Sequence, residues 1–566
     1  MTSNIKRIEN LIYTKKYKKA LIQLQKQNST PKNRTLRTLG LESECLLILR
    51  NWKKAIIKLN ESLNIAKENT DKVKLLSQIA RSEIKLNERI KAIKSLKKSL
   101  KIDSSVKNIE ARLMLCQVAH ELGYFETIEK FAPSLLCLSK YFVTAQFLLC
   151  ESAIKRLNKK LAVERLSRLS LELSNLTPPQ ISFILHSFIQ LGELKRSKSF
   201  LEQTSGKFGN EKWHALFNGL IHYEENDFEI AIELLKPLDH SSLPDWFVET
   251  PILYQTLGKA YESLEKYTEA YNNFTLMGKL TKEKWASHKR YDLIKSFKKL
   301  DLSNFPKFDF KEKNNDPVFM LGFPRSGTTL LEQALDSHPN ITTLSEQQTL
   351  TAIVESIAKD NIEYYPKLLA NISLNHAESL RQEYFSSVNE LTNNTTNIVV
   401  DKLPIYSIHL PLINTLFPNA KIILSIRHPM DVILSNFQQY YAPNNEMSFL
   451  TTIDDCLDRY LSVFNFIEEN QTQLKFNIIT TKYEDLVNDM ESEIFNIFSF
   501  LGVQRSDTYK NFYLNAQQKI LNTSSRSQVI KPLYQTSKYK WLNYKSQLEP
   551  YKHLLNKYIE KYGYGI

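Results

Sequence analysis

The stretch Pro317-Val-Phe-Met-Leu-Gly-Phe-Pro-Arg-Ser-Gly-Thr-Thr-Leu-Leu331 decides the fold of the second half of the chain. A short apolar run leads into a turn rich in Gly and Pro. Small and hydroxyl residues follow, and then a helical pattern begins. This order predicts a strand, an anion-binding loop and a helix N-terminus, where backbone N–H groups lack intrahelical partners and the helix dipole favours negative charge. Gly322 and Gly327 have the spacing of a nucleotide phosphate loop, yet Thr328 and Thr329 stand where an ATPase or GTPase carries Lys-Ser/Thr. The cation comes earlier, as Arg325. An Arg-bearing loop without the metal-binding pair points away from ATP or GTP hydrolysis.

Downstream of this loop the pattern alternates. Strand-like runs occur at 318–321, 397–400, 421–426 and 476–480, and helical periodicity fills the gaps at 430–441, 453–469 and 492–501. Strands separated by helices predict a parallel sheet covered on both faces, with ligand at the carboxyl ends of the strands. Arg325, Asp401-Lys402 and Arg427 each lie just beyond a strand's end.

The first half repeats. Small residues recur at Ala20, Ala55, Ala92, Thr127, Ala162, Ser197, Ala231 and Ala270, at intervals of 35, 37, 35, 35, 35, 34 and 39. A period near 34 is that of tetratricopeptide repeats, in which a small residue lets two helices approach closely. The best-formed copy is Tyr254-Gln-Thr-Leu-Gly-Lys-Ala-Tyr261 followed by Tyr267-Thr-Glu-Ala-Tyr-Asn-Asn-Phe274. Such helix pairs bury their apolar stripes only against their neighbours and so stack into a solenoid. The expected organisation is an all-α tetratricopeptide-repeat solenoid of about eight repeats over 1–300, a polar joint at 301–316, and an α/β P-loop-like domain with a central parallel sheet at 317–566.

The second half resembles a known family. Pro-Arg-Ser-Gly-Thr-Thr-Leu, a helix, Asp336-Ser-His-Pro339 and Ser345-Glu346 resemble the nucleotide-loop region of sulfotransferases, in particular the tyrosylprotein sulfotransferase branch and its bacterial relatives with tetratricopeptide repeats. The resemblance implies 3′-phosphoadenosine-5′-phosphosulfate as co-substrate, no metal, and transfer of its sulfuryl group to an acceptor hydroxyl. It implies that Arg325, Ser326, Gly327, Thr328 and Thr329 hold the 5′ side of the donor. Lys421-Ile-Ile-Leu-Ser-Ile-Arg-His-Pro-Met-Asp-Val-Ile-Leu-Ser435 resembles the 3′-phosphate segment, with Arg427 and Ser435 as ligands. Relatives carry a further Arg four residues beyond this Ser, where this chain has Gln439. Lys402 matches the Lys that contacts the leaving oxygen, and Tyr483 a Tyr that contacts the nucleotide. Ser525, Lys531 and Lys540-Trp541 match a C-terminal nucleotide-binding run in which the Ser supports the transition state. Glu346 lies where the tyrosine-directed branch places its catalytic Glu.

These assignments suit the chemistry. Sulfuryl transfer, like phosphoryl transfer, needs an in-line arrangement and stabilisation of spreading charge. Cationic side chains can supply that stabilisation, Lys402 at the leaving oxygen among them. A carboxylate such as Glu346 suits a hydroxyl acceptor if burial raises its pKa. The competing reading makes Glu346 an exposed residue opening the next helix, with Ser345 as N-cap. His338, His409 and His428 are rival bases, though lone histidines are more often structural.

Composition bounds the rest. The 566 residues are too many for one compact domain, and 42% hydrophobic residues support real cores. A net charge of +14 suits an anionic donor and acidic acceptors; nucleic-acid binding would rest on that charge alone and is not expected. The five cysteines have neither metal-ligand spacing nor a disulfide pattern. No signal peptide or transmembrane stretch is legible, so a cytoplasmic, bacterial protein is expected. The acceptor stays open between peptide, glycan, lipid and small molecule, with docking on the repeats or self-association as roles for the solenoid. The alternative is a catalytically inactive repeat scaffold with a nucleotide-binding sulfotransferase-like domain.

Overall fold

The computed structural model describes all residues except 1, 106–107, 157, 207–210, 245–246, 248–249, 287–289, 311–315, 359–360, 393–396, 442–443, 519–528, 530, 534–536 and 565–566. The chain divides into two compact units, Met1–Leu191 and Gly192–Ile566.

The first unit is helical throughout. Its pairs are Thr2–Tyr13 with Tyr17–Asn28, Leu36–Ile48 with Trp52–Ile65, Asn69–Lys85 with Arg89–Ile102, Ile109–Glu121 with Phe125–Phe131, and Ser139–Lys155 with Lys159–Ser170, followed by helix Pro178–Gln190. The second unit opens with helix Leu194–Gln203 and continues with the pairs Glu211–Glu224 with Phe228–Leu235 and Pro251–Ser263 with Tyr267–Trp285. In pair after pair a left-handed residue sits two positions before the second helix: Lys15, Arg50, Asn87, Gly123, Asn226 and Glu265. It reverses the chain so that the second helix packs back on the first.

The small residues read from the sequence occupy the fourth position of these second helices, where Ala20, Ala55, Ala92, Ala162, Ser197, Ala231 and Ala270 have no exposed surface. Thr127 does not. In that repeat Ile128 takes the buried fourth position of Phe125–Phe131, one residue later.

The α/β part of the second unit is a five-stranded parallel sheet in the order β2-β3-β1-β4-β5. Its strands are β1 (Val318–Gly322), β2 (Ile341–Ser345), β3 (Ile398–Lys402), β4 (Lys421–Ile426) and β5 (Asn477–Lys482). Four match the runs expected from sequence. The fifth, β2, is an edge strand whose Ile-Thr-Thr-Leu-Ser sequence has too few apolar residues to announce itself. Strand pleating divides β1 between the two faces of the sheet. Val318 and Met320 pack with Leu331, Ile494 and Phe498, while the Phe319 ring lies 6.2 Å from Tyr384 and 5.7 Å from Phe417. Helices therefore cover both faces. Because β3 and β4 flank β1 on opposite sides, the strand order reverses at β1, and its carboxyl end is where such sheets bind ligand.

Within this unit the last helix pair and the segment after it join the α/β core. A Cβ added to Gly278 would sit 2.2 Å from the Thr451 carbonyl oxygen, so only Gly permits this close approach. Leu293, Ile294, Phe297, Leu302 and Phe305 are all buried. Arg381 pairs with Asp316 at 2.9 Å and lies 4.3 Å from the Phe310 ring. Cys45, Cys116, Cys150 and Cys456 are buried and Cys137 is exposed. No helix among the described residues is long and apolar enough to cross a membrane.

Candidate active site

The loop after β1 is built around two left-handed residues, Arg325 (φ 72°) and Gly327 (φ 91°), the latter capping helix Thr328–Asp336. Gly327 is required twice over. Its φ suits Gly, and a Cβ there would lie 2.6 Å from the Tyr483 ring. Tyr483 begins the helix after β5 and so packs directly on the loop, with the Arg427 guanidinium 4.8 Å from its ring centroid.

Arg427 follows β4 and reaches across to the same loop. Its Nη1 donates to the Arg325 carbonyl at 3.5 Å, and its Nη2 lies 3.4 Å from Asp431. Asp431 accepts from the backbone N–H of Tyr539 at 2.7 Å and of Trp541 at 2.9 Å. It thereby fixes the segment that carries Lys540 beside Arg427. Ser435 accepts from Arg325 Nε at 2.9 Å. The structure thus gathers Arg325, Gly327, Arg427, Ser435 and Tyr483 around one loop. Ser326, Thr328 and Thr329 are buried beside them, and Lys531 is exposed. Ser525 lies outside the described residues. Ser326 Oγ and Arg427 Nε are buried and have no hydrogen-bond partner among the described residues. Unpaired buried polar groups are costly, so an acceptor-rich ligand such as a phosphate suits them.

At the carboxyl ends of β2 and β3 lies an ionic triad. Lys402 Nζ is 2.9 Å from Glu346 Oε1 and 2.9 Å from Glu332 Oε2. Lys402 and Glu332 are fully buried, whereas the Glu346 side chain is 31% exposed. Burial alone would pull the Lys402 pKa down, but the two carboxylates hold it above the ordinary lysine value. For Glu332 burial pushes the pKa up against the opposing pull of Lys402. Glu346 does not open a helix as the competing reading held. Ser345 is the last residue of β2, and Glu346 takes a left-handed conformation (φ 50°) with its N–H donating to the Lys402 carbonyl at 2.9 Å. That backbone is uncommon for a non-glycine residue, and it turns the carboxylate toward Lys402.

Sequence reading missed Glu332. Its only signal was a carboxylate on the first turns of a helix otherwise facing the core. It placed Asp401 just beyond a strand's end and gave it no role; the structure makes it part of β3, and its Oδ2 accepts from Thr349 Oγ1 at 2.5 Å and from Tyr384 OH at 2.9 Å. Burial raises the Asp401 pKa to about 7. In the unfolded chain this group ionises near the ordinary Asp value, so the folded state binds the proton more tightly and stability falls as pH rises from about 4 to about 7. Asp401→Asn mimics the protonated form. Thermal melting from pH 5 to 8 should show the variant losing less stability than the parent across that range. A parallel pair of curves would mean that Asp401 is already ionised at pH 5.

The three histidines considered as rival bases, His338, His409 and His428, are all buried. Burial lowers the His409 pKa to about 3 and the His428 pKa to about 4. His428 caps helix Pro429–Phe437 through Met430 N and stacks on Trp541, and His338 bonds the Gln504 carbonyl oxygen at 2.9 Å.

Residues 317–507 match the model of the sulfotransferase family, described as "Sulfotransferase family". An uncharacterized protein of Aquifex aeolicus (strain VF5) is 31% identical over 265 residues, which is 44% of this chain and 34% of that protein. Protein-tyrosine sulfotransferase 2 of Gallus gallus is 24% identical over 249 residues, 40% of this chain and 63% of its own length. The chain thus spans less than two thirds of either relative. The solved structure of the sulfotransferase domain from the curacin biosynthetic pathway superposes with a TM-score of 0.31 at 18% identity, over 41% of this chain and 92% of that domain.

Proposed function

We propose that residues 317–566 transfer a sulfuryl group from 3′-phosphoadenosine-5′-phosphosulfate to an acceptor hydroxyl, that of a peptide tyrosine. The observation that supports this most is the Lys402 ammonium set between a buried and a half-exposed carboxylate next to the Arg325 loop. In the proposed step Glu346 takes the hydroxyl proton as the acceptor oxygen bonds to sulfur. The bond between sulfur and the bridging phosphate oxygen breaks, and Lys402 neutralises the charge growing on that oxygen. Glu332 keeps Lys402 in place and charged when Glu346 is protonated. Arg325, Ser326, Thr328, Thr329, Arg427, Ser435 and Tyr483 hold the donor, with Ser525, Lys531 and Lys540 supplied by the C-terminal segment. The repeats present the acceptor peptide.

Calorimetric titration with the product, adenosine 3′,5′-bisphosphate, tests the donor assignment. Binding should persist in chelator, and Arg427→Ala should weaken it by roughly 10- to 100-fold, as expected for a charge-assisted contact of about 1.5–3 kcal/mol. Loss of binding on adding chelator, or an Arg427→Ala variant with unchanged affinity, would remove the basis for this reading.

A further inference from the structure

Helix Pro251–Ser263 of the last repeat lies in the same compact unit as the α/β core. Gln255, Lys259 and Glu262 are spaced four and three apart and so share one face of it. The two outer residues of this face grip the end of helix Pro429–Phe437. Gln255 Nε2 donates to the Gln438 carbonyl at 3.3 Å. Glu262 Oε1 accepts from Gln438 Nε2 at 2.5 Å and from Tyr544 OH at 2.7 Å. Its other oxygen accepts from Lys540 Nζ at 2.6 Å. The Glu262 carboxylate is therefore fully engaged.

Lys259 stands between these two anchors. Its charged neighbours are Arg325, Lys540, Glu224 and Glu262, and among the described residues its Nζ makes no ion pair within 4 Å. Three cations from three separate parts of the chain, Lys259, Arg325 and Lys540, thus lie within electrostatic reach of one another, and the Arg325 side chain donates to Ser435. Like charges brought together in this way, with one carboxylate committed to Lys540, favour an anionic ligand.

We infer that the last repeat forms a wall of the donor site and that Lys259 is a ligand for the donor's phosphate groups. The inference rests on the donor reading above. It also accounts for Gln439. Gln439 stands where the relatives' further Arg would be, and its side chain is turned onto the Tyr440 carbonyl at 3.1 Å. Lys259 supplies from the repeat the charge that helix Pro429–Phe437 lacks.

Burial, followed by repulsion from Arg325, lowers the Lys259 pKa to about 8, with Glu224 and Glu262 opposing and Lys540 adding to the depression. The charge on Lys259 in the unliganded protein is accordingly lost between pH 7 and 9. A bound phosphate would favour the protonated form, so affinity should fall over that interval.

The test is calorimetric titration of the full chain with adenosine 3′,5′-bisphosphate at pH 7 and pH 9. Lys259→Met keeps the aliphatic stem and removes the charge, and should weaken binding at pH 7 by roughly tenfold or more. Lys259→Arg should restore most of the affinity and flatten the pH dependence attributable to this position. A parent protein that binds while Lys259→Met binds within twofold of it, at equal melting temperature, overturns the inference and leaves the donor reading standing. A parent that does not bind the bisphosphate at all overturns the donor reading itself. If Lys259→Met melts lower, the Lys259→Arg profile decides. A pH dependence unchanged from the parent would count against Lys259.

Discussion

Replacing Lys402 by Met lowers turnover by roughly 10²–10³-fold, while affinity for the bisphosphate product changes by less than about tenfold. The split follows from the role proposed for the lysine, since the charge it would stabilise develops as the bond to sulfur breaks. The same change harms stability. Glu332 is fully buried, and removing its partner leaves an uncompensated carboxylate, at a cost of about 3–5 kcal/mol or the uptake of a proton. The double variant Glu332→Gln/Lys402→Met separates the two effects. It should recover most of the melting temperature and none of the turnover. Single-turnover kinetics together with thermal melting reads both, and recovered turnover in the double variant would show that Lys402 serves only to neutralise Glu332.

A fragment beginning at Gly192 should fold and bind the bisphosphate, whereas one beginning at Asn304 should aggregate. The shorter fragment lacks Leu293, Ile294, Phe297 and Leu302, all buried in the intact unit. The Phe297 ring lies 5.6 Å from Tyr365 and 5.7 Å from Phe466, and Asp292 pairs with Arg459 at 3.1 Å. Each lost large apolar side chain is worth about 1.5–3 kcal/mol. Four of them together approach the whole stability of a domain, on the order of 10 kcal/mol. Circular dichroism and size-exclusion chromatography distinguish the outcomes. A monomeric, cooperatively melting fragment from Asn304 would show that the last repeat is an accessory to the α/β core.

These expectations mark where sequence reading reached and where it stopped. The Arg325 loop was legible because phosphate-binding geometry needs Gly and small residues at fixed offsets. The inner strands β1, β3 and β4 were legible because burial on both faces demands continuous hydrophobic stretches, and the edge strand β5 from its Ile478-Ile479 pair. The other edge strand, β2, was not, since three of its five side chains are polar and its two apolar residues are not adjacent. The repeat period was legible from the close approach of paired helices, and it slipped by one residue where Ile128 replaces a small side chain. Arg427 and Lys402 could be placed at strand ends from local pattern. Glu332 and Glu262 could not, because their roles come from partners 70 and 278 residues away, Lys402 and Lys540 respectively, brought near only by the tertiary fold. A carboxylate on a helix otherwise reads as solvated surface.

This constellation is expected to transfer a sulfuryl group rather than merely hold a nucleotide. The full chain, incubated in chelator with radiolabelled 3′-phosphoadenosine-5′-phosphosulfate and a lysate of its host, tests it most directly. Label should accumulate in a discrete acceptor fraction as adenosine 3′,5′-bisphosphate is released, and Lys402→Met should abolish both together. Tight binding of the donor with no label transferred by the parent protein would contradict the claim, and would identify the chain as a nucleotide-binding repeat scaffold.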